Sequence, residues 1–82
     1  MGAPSTTALR PLERSRRLYE DVGERLGEFV RESSMAPGDQ FPAERELANR
    51  LHVSRTSVRQ SFVVLQALGF VDVRQGEGVF LR

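Results

Sequence analysis

The stretch from Phe41 to Gly69, FPAERELANRLHVSRTSVRQSFVVLQALG, constrains this chain more than any other. Its apolar residues recur at helical spacing in two blocks, which predicts two helices joined by a tight turn. The first helix is expected to begin at Pro42, whose fixed φ suits an opening helical turn. Glu44 and Glu46 fall early in it, where acidic groups complement the positive helix end. Leu47, Ala48 and Leu51 make its apolar side. A turn at His52 and Val53 follows. Ser54 stands at the N-cap position of the second helix, with a hydroxyl available to a free backbone N–H. That helix is expected to bury Val58, Phe62, Leu65 and Leu68. Gly69 stands where a left-handed glycine ends a helix.

The other face of the second helix carries the chemistry. Arg55, Thr56 and Arg59 cluster near its N-terminus, away from Val58 and Phe62. A helix-turn-helix presents that end of its second helix to base edges in the major groove. Arg matches guanine O6 and N7 with a fork of donors, and Thr bonds a base edge or touches a thymine methyl. The plainer alternative is a solvated polar face on a small helical domain.

Charge distribution bears on the choice more than total charge. The net charge of the 82 residues is only +1, so overall charge does not advertise nucleic acid. All 12 basic residues are Arg, the side chain suited to bidentate contacts with bases and phosphates. The chain fits one small domain. With no Cys, disulfides, thiolate chemistry and Cys-based zinc sites are excluded. The single His52 lies in the turn without a nucleophile–base partner, and Glu44 and Glu46 point to different helix faces. No catalytic residue, metal site or cofactor is expected. No signal peptide or membrane-spanning apolar run is apparent, so a soluble, intracellular protein is expected.

Residues 1–17 read as a flexible basic N-terminal arm, with two prolines, small polar residues and low hydrophobicity. Arg14, Arg16 and Arg17 can touch phosphate, or the arm is merely a soluble tail. Leu18 to Ser33 is predicted as a first helix, with Leu18, Val22, Leu26, Phe29 and Val30 along one stripe. Asp21 and Arg25 form an opposite-charge i,i+4 pair there. Gly23 and Gly27 weaken the helix by about 1 kcal/mol each relative to Ala. Ser34 to Gln40 is a loop carrying the turn signal Pro37-Gly38. After Gly69 the period changes to two. Val71 and Val73 alternate with Asp72 and Arg74, residues 75–78 turn the chain, and Val79-Phe80-Leu81 return. The expected architecture is mainly α with a small β-hairpin: a winged helix-turn-helix of three helices and a two-stranded wing, spanning 18–82. The glycine-rich wing tip lets backbone approach a phosphate or enter a groove.

The run PGDQFPAERELANRLHVSRTSVRQSFVVLQALGFVDVRQGEGVF resembles the DNA-binding domain of the GntR family of bacterial transcription regulators. The likeness covers about Leu18 to Leu81. It rests on PGD before the loop, P-A-E-R-E-L-A opening the first helix of the motif, V-S-R-T-S-V-R at the recognition helix and R-Q-G-E-G-V-F in the wing. The P-A-E-R-E-L-A and R-Q-G-E-G forms are most similar to the FadR-like branch. The resemblance implies a cytoplasmic regulator, a repressor or an activator, that binds a pseudo-palindromic operator in double-stranded DNA as a homodimer. It implies that Arg45 reaches DNA from the helix before the turn. Ser54, Arg55, Thr56 and Arg59 would supply the recognition-helix contacts, and Gln75 with Gly76 the wing contacts. Arg55 is the best candidate base reader by its chemistry. Arg45 has the alternative of a surface ion pair with a nearby Glu, and Ser54 that of a helix cap only.

Three departures from the family pattern stand out. Val63 and Val64 occupy positions that are usually polar, so at least one is expected to be exposed. Ser61 replaces a common Ala, which is tolerable if its hydroxyl bonds back to its own helix. The chain stops after the wing, whereas full-length relatives continue into a domain that binds a small-molecule effector and dimerises. An N-terminal fragment is therefore expected. Two other arrangements compete: a winged helix that binds only protein, and fusion of this module to an aminotransferase-like domain.

Overall fold

A computed structural model describes the backbone of residues 2–82 and the side chains from Arg17 onward. The elements are α1 (Gly2–Glu32), α2 (Glu44–Leu51), α3 (Arg55–Ala67), β1 (Val71–Arg74) and β2 (Gly78–Leu81). The strands form one antiparallel hairpin, with Val71 opposite Leu81 and Arg74 opposite Gly78. The winged helix-turn-helix predicted from the pattern is thus present. Helix α1 begins far ahead of the predicted Leu18. Residues such as Ala8, Leu9, Leu12 and Glu13 favour helix, and Pro4 falls in the first turn, where its missing N–H costs nothing. The side chains of Arg14 and Arg16 lie outside the described residues. Among the described residues, no helix is long and apolar enough to cross a membrane.

Each helix stops by the same device. A residue with left-handed φ follows the last turn, and the next N–H reaches back to a carbonyl five residues earlier. The left-handed residues are Ser34 (φ 52°), His52 (φ 57°) and Gly69 (φ 86°). The matching bonds run from Met35 N to Val30 O, Val53 N to Ala48 O, and Phe70 N to Leu65 O. Gly69 was expected in this role. His52 adopts it without being glycine, which closes the turn of the helix-turn-helix. Helix α2 starts at Glu44 rather than Pro42, because Ala43 is still extended at ψ 151°. Ser54 caps α3 as predicted: its Oγ accepts from Ser57 N at 3.0 Å.

The core lies where the three helices and β1 meet. Val22, Leu26, Phe41, Leu47, Ala48, Val58, Phe62 and Val71 are buried, with Phe29, Val30, Leu51 and Leu65 packed around them. Phe41 stacks with Phe29 and meets Phe62 edge-on, at centroid distances of 6.5 and 5.1 Å. Two residues expected inside are not. Leu68 is 64% exposed, since α3 ends at Ala67 and Leu68 sits at the margin of its buried face. Leu18, one turn before Val22, is likewise largely exposed. Polar side chains instead tie the helices together. Ser61, wholly buried, donates to the Tyr19 carbonyl of α1 at 3.1 Å rather than to its own helix. Arg25 does not pair with Asp21; it donates to the Leu51 carbonyl at 2.6 Å, satisfying the C-terminal end of α2.

Gly23 is not required for close packing, because a β-carbon there meets nothing within 4 Å. Gly23→Ala is therefore expected to stabilise the domain by about 0.5–1 kcal/mol through helix propensity. The checking measurement is the thermal midpoint, which should rise by about 3–6 °C. A fall would mean that the added methyl group distorts the α1–α3 packing.

Candidate nucleic-acid interface

Buried Val58 and Phe62 fix the roll of α3 about its axis, so Arg55, Thr56 and Arg59 face outward. Cap residue Ser54 sets where that face begins. On α2, buried Leu47 and Ala48 leave Arg45 exposed. At the wing, Gly76 takes φ 76°, a left-handed conformation that lets three residues close the hairpin. Gly76 was expected as a wing contact; its positive φ means that it also holds the turn's geometry.

Arg45, Arg55, Arg59, Gln75 and Gly76 line one open groove of about 700 Å³. Its walls are the start of α2, the outward face of α3 and the wing. Ser54 and Thr56 stand at the N-terminal end of α3 but do not line the groove. Val63 and Val64 are both exposed, as the departures from the family pattern anticipate, and Val63 faces the groove. Arg74 lines it too and was not singled out. It lies over the Phe80 ring, 4.3 Å from the centroid, and 3.7 Å from the Asp72 carboxylate. The sequence signal was available: Arg74 and Phe80 flank the turn on one hairpin.

The arginines differ in state. Arg45 and Arg55 are exposed and make no hydrogen bond or ion pair among the described residues. Arg59 is held by Glu44 through two hydrogen bonds, Nε to Oε2 at 3.1 Å and Nη2 to Oε1 at 3.0 Å. The ion pair expected as the alternative for Arg45 thus falls to Arg59 instead. It crosses from α2 to α3 and fixes the guanidinium at the groove wall.

The hydrogen bonds from Arg59 hold the Glu44 carboxyl below its ordinary pKa. Partial burial opposes them, and the positive charges of Arg59 and Arg55 add to the lowering. A carboxylate with a depressed folded pKa contributes stability above its unfolded pKa, and that contribution is lost as pH falls through the folded value. Arg59 remains 58% exposed, so solvent screens the pair and the effect is small. The wild type is expected to lose more urea resistance than Glu44→Gln between about pH 5 and pH 3. Parallel urea midpoints would show that the pair adds nothing to folding.

The chain is similar to known bacterial regulators. The Uxu operon transcriptional regulator of Escherichia coli K12 is 36% identical over 77 residues, covering 94% of this chain and 27% of its own length. The Exu regulon transcriptional regulator of the same strain is 41% identical over 64 residues, covering 78% of this chain and 25% of its own. This chain therefore spans about a quarter of the length of these curated relatives. Among solved structures, AraR(DBD) in complex with operator ORX1 superposes with a TM-score of 0.70 at 28% identity, covering 79% of this chain and 78% of that one. Both curated relatives are named as transcriptional regulators. The description "Bacterial regulatory proteins, gntR family" matches residues 18–81, and the chain belongs to that family through its winged helix-turn-helix DNA-binding domain.

Proposed function

We propose that this domain reads operator DNA with the N-terminal end of α3 in the major groove and the wing alongside. The observation that carries this is the shared groove, where Arg45, Arg55, Arg59, Gln75 and Gly76 converge from three separate elements. Arg55, exposed and without an ion pair among the described residues, reads a base edge with Thr56 beside it. Ser54 combines capping with a phosphate contact. Arg45 is a phosphate anchor, and Arg59, oriented by Glu44, reaches a phosphate or a second base. Gln75 and Gly76 bring the wing against the duplex. The operator-bound state of the AraR domain supports this mode for a similar fold.

On this reading the whole protein is a cytoplasmic bacterial repressor. It works as a homodimer on a pseudo-palindromic site and responds to a small molecule through a further domain. Residues 1–17 act as a basic arm ahead of the domain of 18–82; the family match starts at residue 18, although α1 runs unbroken from Gly2 to Glu32 across that point. The test is a titration of the 82-residue chain against a duplex selected from a random pool and against its scrambled version. Affinity for the selected duplex should be modest, because one domain lacks the effective concentration of a dimer. It should fall at least about tenfold from ~50 to ~200 mM salt. Equal affinity for both duplexes, or binding indifferent to salt, would withdraw the proposal.

A further inference from the structure

The loop before α2 does more than connect helices. Residues 38–41 run alongside β2, with bonds from Gly38 N to Leu81 O, Leu81 N to Asp39 O and Phe41 N to Val79 O. Gln40 forms a bridge with Phe80 at the centre of this pairing. Its side-chain amide then extends to the wing tip, where Nε2 donates to the Glu77 carbonyl at 2.8 Å. It crosses Gly78 so closely that a β-carbon there would collide with the amide nitrogen. On the opposite strand, Gln66 Oε1 of α3 accepts from Val73 N at 2.8 Å. Two side-chain amides therefore hold the hairpin, one from each side.

We propose that Gln40 is a positioning residue for the wing, fixing the tip relative to α2 and α3 so that Gln75 and Gly76 are pre-set for the duplex. A two-stranded hairpin has little stability of its own, so its attitude depends on such ties. Gln40 fixes the carbonyl of Glu77, one residue beyond Gly76, while its backbone belongs to the segment that leads into α2. Holding the tip before binding removes an ordering cost from association. This inference rests on the wing contact proposed above, and its test separates the two.

The informative variant is Gln40→Met, which keeps the length of the side chain and removes the donor. In the free 82-residue chain, the ¹⁵N heteronuclear NOE of Gly76 and Glu77 should drop while values in α2 and α3 stay as in the wild type. Affinity for the selected duplex should fall about three- to tenfold, the scale of one hydrogen bond. In a Gln75→Ala background, Gln40→Met should add little further loss, since both act through the wing. An unchanged NOE at the tip, or a full additional loss in the double variant, would overturn the proposal. If Gln75→Ala alone binds like the wild type, the wing contact fails, and Gln40 is then judged by the NOE at the tip.

Discussion

Phe62→Ala is expected to remove about 3–5 kcal/mol of stability, the range for truncating a buried phenylalanine. Phe62 is only 2% exposed and meets Phe41 edge-on, while Phe41 stacks on Phe29 of α1. Through Phe41, the Phe62 ring thus ties α3 to the segment before α2 and to the first helix. Small domains have about 5 kcal/mol or little more to lose, so the variant should be largely unfolded or close to it at 37 °C. Urea denaturation gives the number, and Phe62→Leu, which keeps most of the volume, should cost much less. A loss below about 1 kcal/mol for Phe62→Ala would mean that the aromatic cluster is not the centre of the core.

Arg55→Ala is expected to cost about 1–3 kcal/mol on the selected duplex and little on scrambled DNA. Arg55 opens α3, directly after the Ser54 cap, and it is exposed with no hydrogen bond or ion pair among the described residues. Its fork is therefore available to a guanine without first breaking an ion pair. Arg45→Ala, in contrast, should weaken both duplexes alike, as loss of a phosphate contact does. Arg59 lies between these cases, because Glu44 already occupies its guanidinium. Binding isotherms for both variants on both duplexes at fixed salt decide the matter. Equal loss on the two duplexes for Arg55→Ala would make Arg55 a backbone anchor rather than the reader.

Features set by neighbours along the chain were legible before the fold was known. The Ser54 cap, the Val58 and Phe62 face, the Gly69 stop and the hairpin of 71–81 all follow from local spacing and residue type. Contacts between elements were not. Nothing local tells that Ser61 reaches Tyr19, that Arg25 reaches Leu51, or that Arg59 rather than Arg45 takes up Glu44. Each depends on how two helices are rolled against one another. The run of 38–41 alongside β2 was hidden for a related reason: its pattern is that of a loop, and only β2 supplies its bonding partners. Leu68 shows the limit of periodicity itself, since spacing cannot reveal that the helix ends one residue earlier, at Ala67.

If the groove between α3 and the wing receives DNA, amide chemical-shift mapping will place the duplex there. A ¹⁵N-labelled sample of the chain would be titrated with the selected duplex and the shifts followed residue by residue. The predicted result is perturbation concentrated at Arg45, at Ser54 to Arg59, and at Gln75 and Gly76, reversed by added salt. Shifts confined to the opposite side, at Leu68, Phe70 and the Gly23–Gly27 stretch of α1, with the start of α3 unmoved, would contradict it.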